Sequence, residues 1–136
     1  MPSLHPYCLN RSAGAIMDTH EISCGRISSI RENMAEVIFN EHIELNAKHA
    51  EEVHDCLKSA FKAPVSVLNN MVNRHSYDFD AQTRLWAIPE IKRVGFVAHN
   101  MLSEVSVKVF LLAPRAKVLD ARIFNSRTEA IHWLLI

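Results

Sequence analysis

The sequence predicts an α/β domain: a mixed, mostly parallel sheet of about five strands with an N-terminal antiparallel hairpin and four helices. Three observations lead there. Short apolar, β-branched runs alternate with longer stretches of helical spacing after residue 46. Two strand-like runs near the start are separated only by a short turn. Pro64 and Pro89 each close a stretch of helical spacing.

The hairpin is "GRISSIRENMAEVIFNE". Ile27 alternates with polar neighbours, Val37 to Phe39 is a β-branched and aromatic run, and "RENM" supplies the turn, with Asn33 suited to a left-handed conformation. The first helix runs from Ala47 to Lys62 in "ELNAKHAEEVHDCLKSAFKAP". Asn46 is its N-cap candidate, and Ala50, Val53, Leu57, Ala60 and Phe61 form an apolar stripe. A strand follows at Val65 to Asn69, then a helix at Asp78 to Ile88, and a strand at Arg93 to Ala98. "NMLSEVSVKVFLLAP" gives a third helix, with Leu102, Val105, Val109 and Leu112 expected toward the sheet. "DARIFN" is the last strand. "SRTEAIHWLL" closes the chain as a helix, with Ser126 as cap and Glu129 completing a capping box. Alternating strands and helices imply a largely parallel sheet. Residues 1–16 read as an N-terminal extension before a single domain at 17–136, because Met17 opens the well-patterned chain.

Composition narrows the function. Of the 136 residues, 49% are apolar and 22% charged, as in a globular domain with its own core. Basic and acidic residues number 15 each, so the basic excess of a nucleic-acid binder is missing, and the zero net charge leaves little repulsion between copies. The cysteines are three, Cys8, Cys24 and Cys56, an odd and widely spaced set that points to reduced thiols and a cytoplasmic protein. No apolar run reaches the ~18 residues of a membrane span. With three glycines, neither a dinucleotide fingerprint nor a phosphate loop can be written, so no cofactor is implied.

From "GRISSIRENMAEVIFNEHIEL" to "ARIFNSRTEAIHWLL" the chain resembles the STAS-like domains, and within them a divergent group of free-standing bacterial proteins. The shared features are the hairpin before an "AEEV" helix and a tail of strand, cap and "EA..WL" helix; the match covers about residues 21–136. The resemblance implies a non-enzymatic regulatory or protein-interaction module. In anti-sigma factor antagonists of this kind, a serine or threonine at the start of the helix after the third strand is phosphorylated by a partner kinase. Here that loop is "NNMVNRHSYDFD", and Ser76 is its candidate, though the family's Asp-Ser-Gly-type sequence is absent and Asn69 and Asn70 stand where an acidic residue is usual.

Ser76 and Asp78 are both good helix caps, so capping competes with phosphate acceptance at Ser76; Arg74 and His75 beside it could pair with an anion or be ordinary loop residues. Asn69, Asn70 and His99 lie near the carboxyl ends of predicted strands, where α/β sheets place ligands, and are the expected rim of a polar pocket. Eight histidines invite a metal site, but His49 and His54 are five apart and no paired-ligand motif exists, so no metal is expected. Nothing around Cys24 or Cys56 suggests an activated thiol. Met101, Phe110 and Leu111 are apolar residues left over once the third helix has faced the sheet, and are the candidate interface of a homodimer. The same surplus also suits a carrier of a small apolar ligand or lipid.

Overall fold

The computed structural model describes residues 18–136. The expected extension at 1–16, with Cys8, lies outside them. Eight strands and four helices are ordered β1 (Thr19–Ile22), β2 (Gly25–Arg31), β3 (Met34–Phe39), β4 (Ile43–Leu45), α1 (Ala47–Ala60), β5 (Val65–Met71), β6 (His75–Tyr77), α2 (Phe79–Arg84), β7 (Ile91–Ala98), α3 (Met101–Leu111), β8 (Ala121–Phe124) and α4 (Arg127–Leu134). The main sheet has six strands in the order β1-β2-β3-β5-β7-β8, and β4 pairs with β6 in a separate two-stranded sheet. Strands β1, β2 and β3 are antiparallel, while β3, β5, β7 and β8 run parallel.

The hairpin pairs Ile27 with Val37. Gly25 opposite Phe39 is required there: a Cβ on it would come within 2.2 Å of the Ile38 carbonyl oxygen. Strand β5 is buried along its whole length and sits at the centre of the sheet. Its alternate side chains go to opposite faces and need cover on both. One face packs Val67 and Phe96 with Val53 and Leu57 of α1 and with Val107 and Phe110 of α3. The other packs Leu68 and Val97 with Ala130 and Leu134 of α4.

The first helix forms as its sequence predicts. Asn46 Oδ1 accepts from His49 N at 3.0 Å, and His49 Nδ1 accepts from Asn46 N at 3.1 Å, so the two satisfy each other's orphan donors. Ala50, Val53, Leu57 and Ala60 are its buried stripe. Ser126 caps α4, accepting from Glu129 N at 3.3 Å, which is the serine half alone of the expected capping box.

Strands β1, β4 and β6 are additions to the expected elements, and two helices differ from expectation. The helix after β5 spans only Phe79–Arg84 instead of 78–88. It stops because Trp86 is fully buried at a φ of 69°, a conformation no helix contains. Its backbone N–H donates to His54 Nε2 of α1 at 3.0 Å, which holds the chain in this turn. The third helix is rotated about its axis by roughly half a turn from expectation. Phe110 is 1% exposed and Val107 fully buried, while Leu102, Val105, Val109 and Leu112 are 61%, 50%, 54% and 83% exposed. The expected sheet-facing stripe therefore faces solvent. Among the described residues no helix is long and apolar enough to cross a membrane.

Candidate functional site

Strands β5 and β7 end side by side at Met71 and Ala98. Beyond β5 the chain turns at Val72 to Arg74 and enters β6, which lies parallel to β4 with Ser76 opposite Glu44. The turn is tied to the 39–42 segment by three hydrogen bonds. Arg74 N donates to Glu41 Oε1 at 2.8 Å, His42 N donates to the Arg74 carbonyl at 2.6 Å, and Asn73 Nδ2 donates to the Phe39 carbonyl at 3.0 Å. His42 accepts a φ of 60° to make this contact.

An open cleft of about 580 Å³ lies between this turn and the first two turns of α3. Met71 and Val72 form its apolar base, Glu41, His42, Asn73, Arg74 and His75 one wall, and Asn100, Leu102, Ser103 and Ser106 the other. Asn100 caps α3, its Oδ1 accepting from Ser103 N at 2.8 Å. The cleft stands at the carboxyl ends of parallel strands, the position where sheets of this class hold ligands.

His75 borders the cleft but is chemically engaged. Its Nδ1 lies 3.3 Å from the Asn73 carbonyl and its Nε2 2.9 Å from the Tyr77 hydroxyl. A carbonyl only accepts, so Nδ1 carries the proton and Nε2 accepts from Tyr77. Burial depresses the imidazole pKa below its ordinary value, with the Asn73 carbonyl and Glu41 opposing, and so favours this neutral form. Burial also pushes the Tyr77 hydroxyl well above its usual value, offset only in part by the nearby Asn69 side chain. Asn69 itself is fully buried, and neither atom of its carboxamide reaches hydrogen-bonding geometry with a partner. Its proximity to Tyr77 is therefore an electrostatic influence short of a formed hydrogen bond. With both ring nitrogens occupied and its neighbour fully protonated, His75 is poorly placed to act as a base.

The expected pocket rim is split by the sheet. Asn69 and Asn70 are neighbours on β5, so their side chains leave on opposite faces. Asn70 meets His99, at 2.6 Å from Nε2 to Oδ1, on the face covered by α4 and away from the cleft. Asn70 Nδ2 in turn donates to Glu36 Oε2 at 2.9 Å, and Arg127 of α4 donates to Glu36 through Nε and Nη2 at 3.1 and 2.8 Å. The order of donors assigns Nε2–H to His99. Burial works against the Glu36 carboxylate, but the hydrogen bonds from Arg127 and Asn70 and the Arg127 charge outweigh it and hold its pKa below the ordinary value. Glu36 and Arg127 belong to no motif in the sequence; a lone acid inside the apolar run "MAEVIF" was the available signal.

Ser76 does not start a helix. It is exposed in β6, and Asp78 is the cap of α2, its Oδ1 accepting from Ala81 N at 2.8 Å. A phosphate on Ser76 would lie two residues from that carboxylate and not at the N-terminus of α2, so the helix-terminus support expected for the switch is not offered there. Arg74 is exposed on the wall of the cleft.

The interface candidates also separate. Met101 is 82% exposed, Leu111 is half-buried, and Phe110 is a core residue with its ring 4.6 Å from Tyr77 and 5.9 Å from Phe96. Phe110 is thus no interface residue. Arg115 covers its outer face at 4.4 Å and bonds the Phe110 carbonyl. Cys24 and Cys56 are buried, and burial, reinforced by the Glu52 charge, pushes the Cys24 thiol up to about 12, so it stays protonated. Among the described residues no group of three or more His, Cys, Asp or Glu side chains converges as a metal site would. No family model, curated protein or solved structure matches this chain.

Proposed function

We propose that this chain is a non-enzymatic regulatory or protein-interaction module of STAS-like type, acting in the cytoplasm and engaging protein partners through α3. One observation carries the reading: the outward side of α3 is a continuous apolar stripe, Leu102, Val105, Val109 and Leu112, each at least half exposed. Contiguous exposed apolar surface of this kind marks interaction sites. The engaged state of His75 and the protonated Cys24 thiol agree with a role other than catalysis. A lipid-carrier role gains no support, because the apolar surplus lies on the outside of α3 and the cleft beside it is mostly polar.

The test is a photo-cross-linking amino acid at position 105, with exposed Glu32 as control position, in cells that make the protein. A discrete polypeptide adduct at 105 and none at 32 is the expected result. Adducts to lipid alone, or equal labelling at both positions, would end this reading.

A further inference from the structure

We infer that the partner of the α3 face is a second copy of this chain, bound with the two α3 helices antiparallel about a two-fold axis. The inference rests on the interaction-module reading and names its partner. Besides Met101, the exposed apolar residues of this segment stand at 102, 105, 109 and 112, with spacings of three, four and three. At 3.6 residues per turn they form one stripe, opposite buried Val107. The spacing is also palindromic. A two-fold axis through its centre sets Leu102 against Leu112 of the second copy and Val105 against Val109, at both ends alike. Such self-complementarity is what an isologous interface requires.

Charge pairing is available in the antiparallel arrangement. Glu104 and Lys108 are the charged residues of α3 and flank the stripe, joined within the chain at 3.0 Å. Antiparallel packing brings each Lys108 within reach of Glu104 of the other copy. Parallel packing about a two-fold along the helices carries Glu104 and Lys108 of the two copies to opposite flanks of the contact, where they form no such pair. The zero net charge of the chain adds no long-range repulsion. An 11-residue helix is only ~16 Å long, and with Met101 extending the patch at one end the contact remains at the small end of specific interfaces, which bury about 800 Å² per partner. The dimer is therefore concentration-dependent.

The test is oxidative cross-linking of a mixture of two full-length variants, Leu102→Cys and Leu112→Cys, with linked peptides identified by mass spectrometry. The expected product is the mixed 102–112 link between chains. Like-with-like 102–102 links are not expected, since antiparallel packing separates those positions by ~15 Å along the axis, beyond the ~7 Å Cα separation a disulfide spans. Sedimentation should show the parent dimer weakened at least tenfold by Val105→Lys, with the circular dichroism unchanged. Like-with-like links, a monomer at all concentrations, or a link from position 102 to Cys8 of its own chain would each overturn the dimer. A position-105 adduct to a different polypeptide would overturn it too, while leaving the module reading intact.

Discussion

Arg127, the first residue of α4, donates from Nη2 to Glu36 Oε1 of β3 at 2.8 Å, joining the end of the chain to the hairpin. The Glu36 side chain is only 10% exposed, so its charge depends on this partner and on Asn70. Arg127→Met should cost about 2 kcal/mol at pH 7, because it leaves a buried carboxylate with one neutral donor. Glu36 has a depressed folded-state pKa, so its contribution is complete above its unfolded value of 4.5 and is lost as pH falls through the folded value. Urea denaturation of both proteins at pH 7 and pH 3 should show the difference shrinking in acid.

His54 gives a second, separate pH window. Burial, with the Lys58 charge, lowers its pKa from 6.5 to about 4, and its Nε2 accepts the Trp86 N–H. The unfolded chain therefore takes up a proton below pH 6.5 that the folded chain refuses until about 4. Stability should fall by about 3 kcal/mol as pH drops through that window. His54→Gln should flatten this slope while lowering stability at pH 7, as denaturation midpoints at half-unit pH steps would show.

The orientation of α3 predicts opposite outcomes for two apolar truncations. Phe110→Ala should cost about 4 kcal/mol, since it empties a core position between Tyr77 and Phe96. Leu112→Ala should change the stability of the isolated monomer by less than about 0.5 kcal/mol. Guanidinium unfolding at low protein concentration checks both, and equal costs would place the helix in the wrong rotation.

The cap of α2 can be assigned by the same means. Asp78→Ala should lose about 1 kcal/mol, and Ser76→Ala about 0.5 kcal/mol or less. A larger loss at Ser76 than at Asp78 in thermal melts would contradict the observed cap.

Local chemistry made much of the fold legible. Asn46 before an apolar stripe, Pro64 after it, Ser126 before Glu129, and the apolar runs of β5, β7 and β8 each carry their structure within a few residues. The short elements were not legible this way. Strands β4 and β6 have three residues each and exist because Ile43 and His75 pair across thirty-two positions. That pairing also turned Ser76 from an apparent helix start into strand. The end of α2 depends on burying Trp86 over His54, which no property of "TRLWAI" announces.

What the sequence by itself determined was the alternation of strands and helices, the caps, and the absence of a basic excess, because these follow from nearest neighbours and composition. Only the tertiary structure decided which side of α3 is core. Both sides carry large apolar residues, and helical spacing cannot rank Leu102, Val105, Val109 and Leu112 against Val107 and Phe110. The two sheets ranked them, by offering Tyr77 of β6 and Phe96 of β7 as a seat for one aromatic ring. The main sheet also separated Asn69 from Asn70, since adjacent residues on a strand point to opposite faces, and gave Asn70 to a carboxylate–arginine pair drawn from distant parts of the chain.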